Sequence, residues 1–65
     1  MIYETIVQLV VEGVLAQPFS VASIKEVSEI LDRSPSFLSK HAMGNPGGYT
    51  EYFVRMGEGL YLLAW

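Results

Sequence analysis

Cysteine is absent from the 65 residues, so no disulfide staples the chain and no thiolate can hold a metal. Histidine occurs once, at His41, beside seven scattered carboxylates, a donor set too sparse for a zinc or iron site. Basic residues are few as well: 4 Lys+Arg stand against 7 Asp+Glu, for a formal net charge of −3. No apolar run approaches the ~20 residues of a membrane-spanning helix, and the N-terminus lacks the basic start of a secretion signal. Together these absences predict a cytoplasmic, intracellular protein with no metal, no cofactor and no membrane partner.

Apolar side chains, by contrast, are plentiful. They make up 51% of the residues, and the mean hydropathy of +0.32 is too high for a disordered chain. A chain of this length closes one core, hence one domain over 1–65. Domains of about 60 residues bury only about 60% of their unfolded surface, so the core is thin. More apolar surface is present than such a core hides. The expectation is a second chain or a neighbouring domain: a homo-oligomer, or one module of something longer.

From Ile2 to Ala16, Ile2, Ile6, Leu9, Val10 and Val14 recur at helical spacing, with Glu4, Thr5, Gln8 and Glu12 opposite. The apolar arc is about twice the usual stripe, and Gly13 falls inside it, where a missing side chain lets another backbone approach. The valines leave a strand reading open; helix over 2–16 is the reading adopted, ended by Gln17-Pro18. Phe19-Ser20-Val21 is expected to be short and extended. Ser23 and Glu26 then have the form of a capping box, opening a helix over 23–32 whose apolar arc is Ile24, Val27, Ile30 and Leu31. Ser34-Pro35 supplies an N-cap and a first-turn proline for a third helix over 34–43, with Phe37, Leu38, His41 and Ala42 on one arc. Gly44 would follow its end. After the loop-rich Gly44-Asn45-Pro46-Gly47-Gly48, two aromatic and aliphatic runs flank Gly57-Glu58-Gly59 and read as a β-hairpin over 49–65. Its second strand is apolar on both faces, with no evident cover for its edge. The fold class is thus α+β, three helices followed by a C-terminal hairpin.

This order resembles the winged helix-turn-helix family. The two-helix unit would be Ile24 to Met43 and the wing Tyr49 to Trp65. Val27, Ser28, Leu31 and Leu38 match the family's apolar-small-apolar pattern, with Ser28 at the helix crossing. Asp32 and Arg33 stand where the family usually has a Gly and an apolar residue, and His41 where an aliphatic is common. The resemblance implies double-stranded DNA as partner, read by the third helix with the hairpin on the backbone. Carried over, the DNA-contacting residues would be Arg33, Ser34, Ser36, Ser39, Lys40 and Arg55. Hydroxyls there can donate to phosphates or base edges, and a helix N-terminus welcomes a phosphate. Four basic residues neutralise few phosphates, so a dimer, which doubles them, suits the reading.

The implied function is a transcriptional regulator acting as a dimer. The alternative is a winged-helix module for protein–protein interaction or assembly without DNA binding, which the acidic balance favours. Val10, Gly13, Val14, Leu63 and Trp65 are the expected dimer interface, being the apolar excess of the first helix and last strand. Each feature also has a plainer reading. Ser34 serves first as a cap, Lys40 as a solvated charge, and His41 as a half-buried, hydrogen-bonded histidine. The hairpin's Tyr and Phe serve first as core and cross-strand pairs. No nucleophile with a base and an orienting partner can be assembled, so enzyme is the class the residues support least.

Overall fold

The computed structural model describes residues 1–64; Trp65, one of the five expected interface residues, lies outside them. The chain is a small α+β domain: α1 (Ile2–Val11), α2 (Val21–Lys25), α3 (Phe37–Lys40), then an antiparallel hairpin of β1 (Phe53–Gly57) and β2 (Leu60–Leu63). The order is the expected one. Every element is shorter than its sequence pattern suggested, and each shortening has a local cause.

α1 stops at Val11, not Ala16. Gly13 takes φ +76°, its N–H donates to the Val10 carbonyl at 3.0 Å, and the Val14 N–H donates to the Leu9 carbonyl at 3.0 Å. These are the paired bonds of a Schellman ending, with glycine in the left-handed position where a Cβ would be strained. Gly13 therefore ends the helix; it is not a small residue within a helical interface. Open space surrounds the position of its missing Cβ.

α2 is capped three residues earlier than expected. Ser20 is the N-cap: its hydroxyl accepts the Ser23 N–H at 3.1 Å, while the Ser23 hydroxyl accepts the Ser20 N–H at 2.8 Å. The capping box is Ser20 with Ser23, and Glu26 takes no part in it. The helix ends at Lys25 because the chain soon abandons the helical ladder. The Ile30 N–H goes to the Ser28 hydroxyl at 3.2 Å, an example of a serine side chain competing with helical backbone bonds. Residues 26–34 continue as turns and irregular backbone, leaving Val27 exposed at 41% although Ile24 and Leu31 are buried.

α3 is four residues, with Ser36 as an N-cap that makes no side-chain bond. Ser34 and Pro35 precede it in a turn whose Ser34 carbonyl accepts the Phe37 N–H at 3.1 Å. The helix does not reach residue 43 because the backbone beyond Lys40 is taken by the sheet. The His41 carbonyl accepts the Tyr52 and Phe53 N–H groups at 2.8 and 3.1 Å, and the Met43 N–H donates to the Phe53 carbonyl at 2.8 Å. Ala42 and Phe53 thereby form a parallel bridge.

The hairpin pairs Phe53 with Leu63, Val54 with Leu62 and Arg55 with Tyr61, with a register shift between Arg55 and Gly57. The strands begin at Phe53, not Tyr49, and the turn glycine with positive φ is Gly59. The edge of β2 has a cover that the sequence did not reveal. Phe19 and Tyr61 exchange both backbone bonds at 2.8 Å, and the Gln17 side-chain carbonyl accepts the Leu63 N–H at 2.8 Å. One backbone residue and one amide side chain close the edge that would otherwise template aggregation. Leu63 is half-buried against the core, as is Val10.

The core gathers one or two residues from each segment: Ile6, Leu15, Phe19, Ile24, Leu31, Leu38, Ala42, Phe53 and Tyr61. Leu38 and Ala42 lie on the expected arc of α3, with Phe37 and His41 half-buried beside them. Two of the exposed apolar side chains lie at and beyond the end of α1: Val11, its last residue, at 75% and Val14, in the turn that follows, at 51%.

Candidate nucleic-acid interface

Two of the six expected DNA-contacting residues meet in one cleft. Ser39 from α3 and Arg55 from β1 line a cavity of about 280 Å³, closed on the remaining side by Met43, Gly44, Asn45 and Pro46. The 43–46 segment is held in shape by its own polar groups. Asn45 donates from its side-chain amide to the Ser39 carbonyl at 2.9 Å and accepts the Gly47 N–H at 2.7 Å, an Asx turn. The Gly44 N–H, at φ +88°, donates to a Glu51 carboxylate oxygen at 2.8 Å. The loop thus ties the end of α3 to the segment that enters β1.

Arg55 is exposed yet oriented. One guanidinium nitrogen donates to the Tyr61 hydroxyl at 3.1 Å, and the guanidinium carbon lies 5.6 Å from the Tyr61 ring centroid. The same Tyr61 that buries its ring in the core therefore presents its hydroxyl to fix the arginine. Lys40 is exposed too, its ammonium 5.7 Å from the Tyr49 ring centroid. Ser39 donates its hydroxyl proton to the Ser36 carbonyl at 3.1 Å and keeps its oxygen as an acceptor. Ser36 is exposed at the start of α3.

Arg33 and Ser34, like Ser36 and Lys40, do not line this cleft; the first two lie just before α3, with Arg33 exposed and Ser34 half-buried. Ser34 does not cap the helix as expected. Four residues also align too few peptide dipoles for the α3 N-terminus to hold a phosphate by itself, so any such contact falls to side chains. Sequence reasoning missed Asn45, Glu51 and Tyr61. The Gly- and Pro-rich run around Asn45 signalled a loop, whereas the Tyr61–Arg55 contact follows only from the hairpin register.

His41 has the plain role foreseen for it: half-buried, with Nδ1 2.7 Å from the Thr50 carbonyl oxygen. Among the described residues no three His, Cys, Asp or Glu side chains gather as a metal site, and no helix is long and apolar enough to cross a membrane. Compared with protein-family models, curated proteins and solved structures, the chain matches none.

Proposed function

We propose that the chain is a small winged-helix module that binds double-stranded DNA and serves as a dimeric transcriptional regulator, a binding protein and not an enzyme. The observation that carries this reading is the shared cleft of Ser39 and Arg55, one from the third helix and one from the hairpin. A reader of duplex DNA needs such a joint face, with a hydroxyl-bearing helix beside a cation on the wing. The Phe19 bridge to β2 supports it further, since it links the segment between the first two helices to the hairpin. The exposed Val11 and Val14 support self-association near the end of α1, with half-buried Val10 beside them and Gly13 shaping the turn.

The second reading, a protein-interaction module without DNA binding, draws on the net charge of −3 and the same exposed valines. A fluorescence-polarisation titration of a generic labelled duplex separates the two. DNA binding is expected to weaken steeply between low and moderate salt, with two chains per duplex site at saturation. A flat baseline at low salt contradicts it and leaves the protein partner. Saturation at one chain per site contradicts the dimer.

A further inference from the structure

Tyr61 is a core residue with an oxygen that the core does not need. Its ring is buried and meets the Phe53 ring edge-on at 6.5 Å, a role that phenylalanine would fill as well. Among the described residues, the hydrogen-bond partner of its hydroxyl is Arg55, whose guanidinium donates at 3.1 Å. The two residues stand directly opposite each other across the hairpin, so their side chains share a face. Arg55 also follows Phe53 by two residues, on the face of β1 that Phe53 turns into the core. The arginine therefore leaves the margin of the core over the Tyr61 ring, with its guanidinium carbon 5.6 Å from the centroid.

Tyr61 is itself held on both sides. It pairs with Arg55 in β1 and exchanges both backbone bonds with Phe19 at 2.8 Å, so its ring and hydroxyl project from a fixed backbone. An unrestrained arginine samples many rotamers, and ordering such a side chain on a ligand lowers affinity by about twofold to tenfold. A guanidinium already bonded to one hydroxyl has less order to gain, and its remaining N–H groups stay free for a ligand. Building on the DNA-binding reading above, we propose that Tyr61 is a positioning residue for the duplex: its hydroxyl holds Arg55 in the rotamer that meets DNA, and affinity rises because less ordering is left to binding.

Tyr61→Phe tests this, since it keeps the buried ring and removes only the oxygen. In the free protein, ¹⁵N relaxation of the arginine Nε–H groups is expected to show Arg55 more ordered than exposed Arg33, and Tyr61→Phe to bring Arg55 to the Arg33 level. In a titration with a generic labelled duplex, Tyr61→Phe is expected to weaken binding about twofold to tenfold in the wild-type background and not at all in Arg55→Ala, the non-additivity of two coupled side chains. An Arg55 as mobile as Arg33, or unaffected by Tyr61→Phe, overturns the proposal without reference to DNA. An equal loss in both backgrounds overturns it too, because that is the mark of a merely structural effect, as does duplex binding that Tyr61→Phe leaves unchanged. A wild-type chain that binds no duplex while Arg55 is ordered as expected overturns the DNA-binding reading, and with it the affinity claim, a result distinct from the others.

Discussion

Phe53→Ala is expected to abolish the cooperative folding transition or lower its midpoint by about 15 °C or more. Phe53 is fully buried in the core. Around it lie the rings of Phe19 and Phe37 at 5.9 Å, Tyr52 at 6.1 Å, Tyr3 at 6.3 Å and Tyr61 at 6.5 Å. Its backbone joins the hairpin to His41 and Met43. Truncating a buried phenylalanine costs about 3–5 kcal/mol, because the cavity left behind closes only in part. A domain of this size holds roughly 3–10 kcal/mol in total. Each kcal/mol lowers the midpoint by about 4–8 °C. The loss is therefore comparable to the whole stability. Circular dichroism during heating checks it, with Met56→Ala, an exposed position, as a control expected to stay within about 0.5 kcal/mol of wild type. A Phe53→Ala midpoint within about 5 °C of wild type would place the core elsewhere.

On the proposed DNA-binding reading, Arg55→Glu carries the second large effect, on affinity for the duplex. Removing one phosphate contact lowers the salt slope by about 0.9, which at 50 mM salt amounts to roughly a tenfold loss. Reversing the charge adds repulsion from the DNA backbone, so a loss well above tenfold is expected. Stability suffers far less. Arg55 is exposed, and the Tyr61 hydroxyl gives up one hydrogen bond, worth about 1 kcal/mol. A competition titration beside a thermal melt distinguishes the effects: a large affinity loss with a small melting shift is the expected pair. Affinity within about twofold of wild type would remove Arg55 from the DNA face.

Periodicity disclosed the elements and their order, because burial imposes the helical and strand repeats on residues such as Ile24, Leu31, Leu38 and Phe53. Boundaries were less legible, since they depend on which of several competing groups takes a given N–H. Ser20 and Ser23 both have cap chemistry; the reciprocal bond between them decided in favour of Ser20. Ser28 has the size for a helix crossing, but it lies past the end of α2, where its hydroxyl accepts the Ile30 N–H. Gly13 read as a contact position on a long helix, when its left-handed φ is what ends that helix. The cover on β2 was not readable at all, because Gln17 and Leu63 are 46 residues apart and nothing local marks them as partners. The site shows the same division. The serines of α3 were visible, while the Tyr61 hydroxyl that aims Arg55 depends on register across the hairpin.

In the proposed function, one face, formed by α3, the 43–46 segment and β1, meets duplex DNA. Amide mapping of ¹⁵N-labelled protein with a short generic duplex at 50 mM salt tests it most directly. Shifts are expected to concentrate at Ser36, Ser39, Lys40, Asn45 and Arg55, to fade as salt rises, and to leave Val11, Val14 and Lys25 nearly still. A spectrum unchanged by the duplex, or shifts centred on α1, would contradict the claim.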